Sequence, residues 1–211
     1  MSNWTTLHDA ILNGDIASTP KLVEEAISDG ATPEDVLEKG LIAGMADVGA
    51  KFKANDIFVP EVLIAAKAMH AAMDVLEPLL VASGVKPKAT VAVGTVKGDL
   101  HDIGKNLVVM MLKGAGFQVV DLGIDIAPDI FITKAEEASA SLIAMSSLLT
   151  TSMPSMKATI EILKERGLGA KIKTVIGGAP VTQEYADDIG ADGYAQDASS
   201  AVDKAKELLG L

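Results

Sequence analysis

The chain has no cysteine and few aromatic residues, with one Trp, two Tyr and four Phe. Without thiols it can form no disulfide, no thiolate zinc site and no cysteine-held iron-sulfur cluster, so any metal must be held through histidine, a carboxylate or a cofactor. It also lacks basic excess. Twenty-nine acids against eighteen bases leave a net charge of -11, which repels phosphate backbones and anionic lipid surfaces and argues against a nucleic-acid or membrane partner. No window approaches the roughly 20 apolar residues of a membrane span. Met1-Ser2-Asn3-Trp4 shows neither the basic nor the apolar region of a signal peptide, so the expected location is cytoplasmic.

What is present is 211 residues, 49% of them hydrophobic, enough for two modest domains that each bury a core. Residues 1–86 read as four helices. Trp4, Leu7 and Ile11 fall at helical spacing before Asn13-Gly14; Thr19-Pro20 opens a second segment closed by Gly30. Thr32-Pro33 supplies a cap and a first-turn proline for a third helix carrying Leu37, Leu41, Met45, Val48 and Phe52 and ending near Asn55. The fourth and longest starts around Phe58-Val59-Pro60-Glu61 and runs to Gly84. Short links and one apolar stripe per helix predict an antiparallel four-helix bundle. His8 and His70 have no metal-ligand spacing and read as ordinary helix residues.

The Gly, Pro and charge of residues 82–88 mark a boundary, and the periodicity then changes class. Strands are predicted at 90–96, 117–122, 142–146, 174–176 and 193–195, alternating with helices at 103–112, 128–138, 153–166, 182–189 and 198–209. Residues 87–211 are thus expected to form an α/β domain, a flavodoxin-like or Rossmann-like parallel sheet of five strands with helices on both faces. In such a sheet the ligand lies beyond the carboxyl ends of the strands. In the order 2-1-3-4-5 three loops would line one crevice: Lys97 to Gly104, Ser146 to Ser152, and Gly177-Gly178-Ala179-Pro180.

Asp99 and His101 stand two apart in the first loop, so a carboxylate can accept from one imidazole nitrogen while the other faces a metal. The hydroxyls of the second loop offer donors, and the glycine pair removes side chains where a bulky ligand would pass. Singly, these loops read equally as a helix cap, turn residues and a tight turn. A phosphate-binding G-x-G-x-x-G or P-loop, a receiver aspartate at the end of the third strand and a G-x-S-x-G elbow are all absent.

Jointly, Asp99-Leu100-His101-Asp102-Ile103-Gly104, Ser146-Ser147-Leu148 and Gly177-Gly178, separated by 41 and 28 residues, resemble the cobalamin-binding signature D-x-H-x-x-G, S-x-L, G-G. The helical part directly before it, with Asn55-Asp56-Ile57-Phe58-Val59-Pro60-Glu61-Val62-Leu63 opening its last helix, resembles the cap of the methyl-transfer branch of that family, as in methionine synthase and the corrinoid methyl carriers. The resemblance covers nearly the whole chain.

The resemblance implies a cobalamin or related corrinoid, and hence cobalt. His101 would be the lower axial ligand in place of the cofactor's own benzimidazole. Asp99 would hydrogen-bond its far nitrogen, and Ser152 would complete the proton relay, with Thr150 and Thr151 close enough to compete for that role. Gly98, Asp102, Ile103 and Gly104 would frame the first loop. The nucleotide tail would run past Ser146, Leu148, Thr150 and the Gly177-Gly178 backbone, and Phe58, with Ala65 and Met69, would cover the upper, methyl-bearing face. The implied partners are a substrate-specific methyltransferase, a second methyltransferase loading a pterin or thiol acceptor, and a reductive activase. On this reading the chain is a methyl carrier and not a complete enzyme alone. An adenosylcobalamin mutase subunit shares the signature but would need a barrel partner, and a cobalamin-binding sensor would normally add a basic DNA-binding module.

Overall fold

The computed structural model describes residues 4–211. The chain divides into two compact units, Met1–Pro87 with Gly114–Gly116, and Lys88–Lys113 with Phe117–Leu211.

The first unit is helical. Helix α1 spans Trp4–Leu12 and α2 spans Thr19–Ser28. The third expected helix consists of α3 (Pro33–Asp35), a π-helical stretch at Val36–Ile42 and α4 (Ala43–Lys53), an interruption of the kind that a 3.6-residue spacing pattern does not signal. It starts where the sequence predicts, because the Thr32 hydroxyl accepts from the Asp35 N–H at 3.1 Å ahead of Pro33. Glycines on this helix permit close packing against α1. A side chain at Gly40 would meet Leu7, and one at Gly44 would meet Ile11 and the His8 carbonyl. His8 adds a tie across the same contact, its Nε2 lying 3.0 Å from the Asp47 carboxylate. Helix α5 (Val59–Ala82) begins where Glu61 accepts from the Phe58 N–H at 3.0 Å, and it absorbs Pro78 in its interior.

The second unit is a five-stranded parallel sheet in the order β2-β1-β3-β4-β5, which agrees with the expected doubly wound architecture. The strands are β1 (Thr90–Val96), β2 (Gln118–Ile126), β3 (Leu142–Ser146), β4 (Lys173–Gly177) and β5 (Gly193–Ala195). Helices α6 (Ile103–Gly114), α7 (Pro128–Glu137), α8 (Pro154–Glu165), α9 (Gln183–Ile189) and α10 (Ala198–Leu209) alternate with them. The inner strands β1 and β3 are almost wholly buried, as continuous apolar runs in a two-sided sheet must be. One core gathers Phe131 and Ile132 of α7, Ile143 and Met145 of β3, Met156 and Ile160 of α8, and Ile176 of β4.

The largest departure from expectation is β2, which runs to Ile126 instead of ending at Leu122. Its pairing with β1 shifts twice, between Val93 and Gly94 and between Gly94 and Val96. Each shift inserts an extra residue into the edge strand, so the alternation that marks a strand in sequence breaks while pairing continues.

Phe131 is fully buried, with its ring against the bare backbone of Gly94, where a side chain would crowd it at 3.0 Å. Phe131→Ala should therefore cost about 3–5 kcal/mol, read as an earlier midpoint in urea unfolding at unchanged slope.

Candidate functional site

Strands β1, β3 and β4 are neighbours, so their following loops meet at the carboxyl end of the sheet. The first loop is fixed by its main chain. Asp99 N–H donates back to the Val96 carbonyl at 3.2 Å, and the buried Thr95 hydroxyl donates to the His101 carbonyl at 2.9 Å. Ser155, at the start of α8, donates to the Lys97 carbonyl at 3.1 Å.

Asp99 is fully buried and is the centre of the site. Its Oδ1 accepts from the His101 N–H at 3.0 Å and pairs with His101 Nδ1 at 2.7 Å. Its Oδ2 accepts from the Leu148 N–H at 2.6 Å, the Leu149 N–H at 3.2 Å and the Ser152 hydroxyl at 3.1 Å. Burial pushes the Asp99 carboxyl up, but the donors from the His101 backbone, Leu148, the His101 ring and Ser152 outweigh it and hold the group well below the usual 3.8. An ionised Asp99 only accepts, so His101 Nδ1 is the donor of this pair, and in the neutral imidazole the lone pair then lies on Nε2. The His101 side chain is 54% exposed: one nitrogen is clamped, and the other is turned outward.

The hydroxyl facing Asp99 is that of Ser152, which is buried, whereas Thr150 and Thr151 are exposed. Ser152 Oγ also lies 2.7 Å from Ser147 Oγ and 2.9 Å from the Leu149 carbonyl, to which the Ser147 hydroxyl donates at 3.0 Å. Ser147 was legible only as one of several hydroxyls in the loop; its burial next to Ser152 is a tertiary fact. Gly178 has φ +135, and a side chain there would collide with the Ser147 carbonyl. A side chain at Gly177 would come within 2.7 Å of the Ala195 carbonyl. The glycine pair therefore serves the approach of one backbone to another.

Beyond the loop, Asn106 Nδ2 donates to Asp102 at 3.1 Å, and the buried Lys105 Nζ reaches Asn106 at 2.7 Å and both Asp121 oxygens at 2.7 and 2.6 Å. These contacts bind the first turn of α6 to β2. Ser146 is half-buried and pairs in register with Thr95. In the helical unit Phe58 is 63% exposed, whereas Ala65 and Met69 are buried.

These residues fit a flat, largely apolar ligand with a metal at its centre. Leu100 is 68% and Ile103 79% exposed, and Leu148 and Leu149 are also open, so large apolar side chains stand exposed in the same two loops that hold His101 and the donors to Asp99. Exposed apolar surface of this kind marks a binding site. No cluster of three or more metal-ligating side chains occurs among the described residues. Fold and site together define a B12-binding protein.

Comparison with known proteins specifies the class further. A B12 binding domain model matches residues 89–203, and a second B12 binding domain model matches residues 4–77. The chain is 46% identical over 201 residues to dimethylamine corrinoid protein 3 of Methanosarcina acetivorans, covering 95% of this chain and 94% of that one. It is 44% identical over 203 residues to trimethylamine corrinoid protein 1 of the same organism, covering 95% and 94%. The methanol:cobalamin methyltransferase complex of Methanosarcina barkeri superposes with a TM-score of 0.84 at 29% identity, over 97% of this chain and 78% of that one. The chain belongs to the corrinoid methyl-carrier proteins of cobalamin-dependent methyltransferase systems, and its cofactor is a corrinoid.

An ionised Asp99 contributes to stability, and its folded value lies below the unfolded 3.8. That contribution is complete above about pH 4 and is lost as pH falls through the lower folded value. Asp99→Asn should therefore be less stable by about 2–4 kcal/mol at neutral pH, and the gap should narrow only below about pH 4, as measured by urea unfolding across that range.

Proposed function

We propose that the chain receives a methyl group from a methylamine-specific methyltransferase and delivers it to a second methyltransferase that loads a thiol or pterin acceptor, with a reductive activase restoring the carrier. Nearly full-length similarity to dimethylamine and trimethylamine corrinoid proteins supports the donor class. When bound, the corrinoid supplies the cobalt on which the methyl group rides.

The observation that carries this reading is the Asp99 carboxylate, one of whose five donors is His101 Nδ1, so that the ring is fixed from behind and Nε2 is the nitrogen left for a metal. His101 Nε2 would be the lower axial ligand. Asp99 orients the ring and strengthens it as a donor, the role a carboxylate takes behind a ligating histidine. Asp99 would hold the Nδ1 proton whether or not Nε2 held the metal, and Ser152, with Ser147 behind it, would share the charge on Asp99 through its hydroxyl. Metal binding at Nε2 would then be linked to protons, since only an unprotonated imidazole nitrogen binds a metal.

Gly98, Asp102, Ile103 and Gly104 frame the ligand loop, and Leu100 and Ile103 offer apolar surface to the macrocycle. Ser146, Leu148, Thr150 and the Gly177-Gly178 turn line the path for the nucleotide tail. Phe58, exposed just before α5, would shield the methyl-bearing face, as would Ala65 and Met69 of α5, which are buried here. No feature of the described residues favours the mutase subunit or the sensor.

His101→Ala in the corrinoid-loaded protein should abolish the nitrogen hyperfine coupling of a protein ligand in the cobalt(II) spectrum and slow methyl delivery. Asp99→Ala should retain His101 but weaken its hold on cobalt by about 10–100-fold. Persistence of histidine coupling in His101→Ala would remove the axial assignment.

A further inference from the structure

The edge strand β2 ends in a feature that neither the relay nor the apolar rim of the site uses. Its two extra residues fall between Asp121 and Ile126, and the second shift leaves Asp125 in the left-handed region at φ 55. Few side chains accept that conformation, Asp and Asn among them. There the Asp125 carboxylate accepts from the Gly98 N–H at 2.7 Å, and the Asp125 N–H donates to the Asp99 carbonyl at 3.1 Å. Gly98 is itself left-handed, at φ 85. Asp125 thus grips the loop from both sides of the Gly98–Asp99 peptide bond, immediately before the residue that orients His101.

Bulges at sheet edges commonly re-aim a side chain beside a functional site. Resting on the reading of His101 as the axial ligand, we propose that Asp125 is a positioning residue for cobalt ligation: the bulged end of β2 sets the height and tilt of the Asp99–His101 pair. The other loop anchors act elsewhere. Thr95 holds the His101 carbonyl, Ser155 the Lys97 carbonyl and Val96 the Asp99 N–H, which leaves the Gly98 N–H and the Asp99 carbonyl to Asp125. Asp125 is exposed and meets the loop at the Gly98 N–H and the Asp99 carbonyl, so it acts on His101 through the loop backbone.

The test uses the full chain loaded with cobalamin and reduced to cobalt(II), with histidine nitrogen coupling as the readout. Asp125→Gly keeps the left-handed backbone and removes only the acceptor; the ratio of histidine-ligated to unligated cobalt should fall by about tenfold, the worth of one charge-assisted hydrogen bond. Asp125→Asn keeps both the conformation and an acceptor oxygen and should stay within about twofold of the parent. An Asp125→Gly protein with the parent's ligated fraction overturns the proposal while leaving the ligand assignment intact. Absence of histidine coupling in the parent itself removes the ligand assignment, and this proposal with it. Should Asp125→Gly not fold, amide exchange in the loaded parent decides: a protected Gly98 N–H supports the clamp, and exchange at the rate of a free loop overturns it.

Discussion

A single buried carboxylate collects the site. Asp99 draws two donors from its own loop and ring partner and three from the loop after β3, so one charge holds together segments almost fifty residues apart in the chain. A buried charge is costly unless every lone pair is occupied. Here the hydrogen bonds outweigh burial and keep the group ionised. An ionised Asp99 makes His101 Nδ1 the donor, and in the neutral ring that places the lone pair on Nε2. Removing the carboxylate would leave the Leu148 and Leu149 amides and the Ser152 hydroxyl without their acceptor, so the loops and the ligand geometry stand or fall together.

The sheet brings these loops into register. The order β2-β1-β3-β4-β5 sets β1 beside β3 and β3 beside β4, so three loops distant in sequence end at one rim. Small residues make this possible at particular points: Gly94 under Phe131 in the core, and Gly178 where the loop after β4 presses against the Ser147 carbonyl. The edge strand then adjusts the rim through its two extra residues, which reach the first loop by way of Asp125.

Much of this was legible in the sequence because it rests on local signals. The Thr32-Pro33 cap, the change in periodicity near Pro87 and the β-branched run from Thr90 to Val96 each encode structure within a few residues. The pairing of Asp99 with His101 was also legible, being only two residues apart. Ser147, Thr95 and Asp125 were not singled out, since nothing in their own neighbourhood sets them apart; they matter through partners supplied by the fold. The far end of β2 was missed because its bulges break the alternation by which a strand is recognised. The π-helical stretch at Val36–Ile42 was missed because its apolar spacing is that of an ordinary helix.

A corrinoid carrier must hold cobalt firmly enough to keep its methyl group and loosely enough to change coordination in each cycle. On the proposed reading, a histidine backed by a hydrogen-bonded carboxylate would meet both demands, because metal binding at its free nitrogen would be linked to protons. The most direct measurement of this account is electron paramagnetic resonance of the cobalt(II) protein grown with nitrogen-15 histidine. Direct ligation by His101 predicts that each cobalt line splits into a doublet in place of the triplet of natural nitrogen. A triplet unchanged by the label would place a nitrogen of the cofactor on the metal and contradict the central claim.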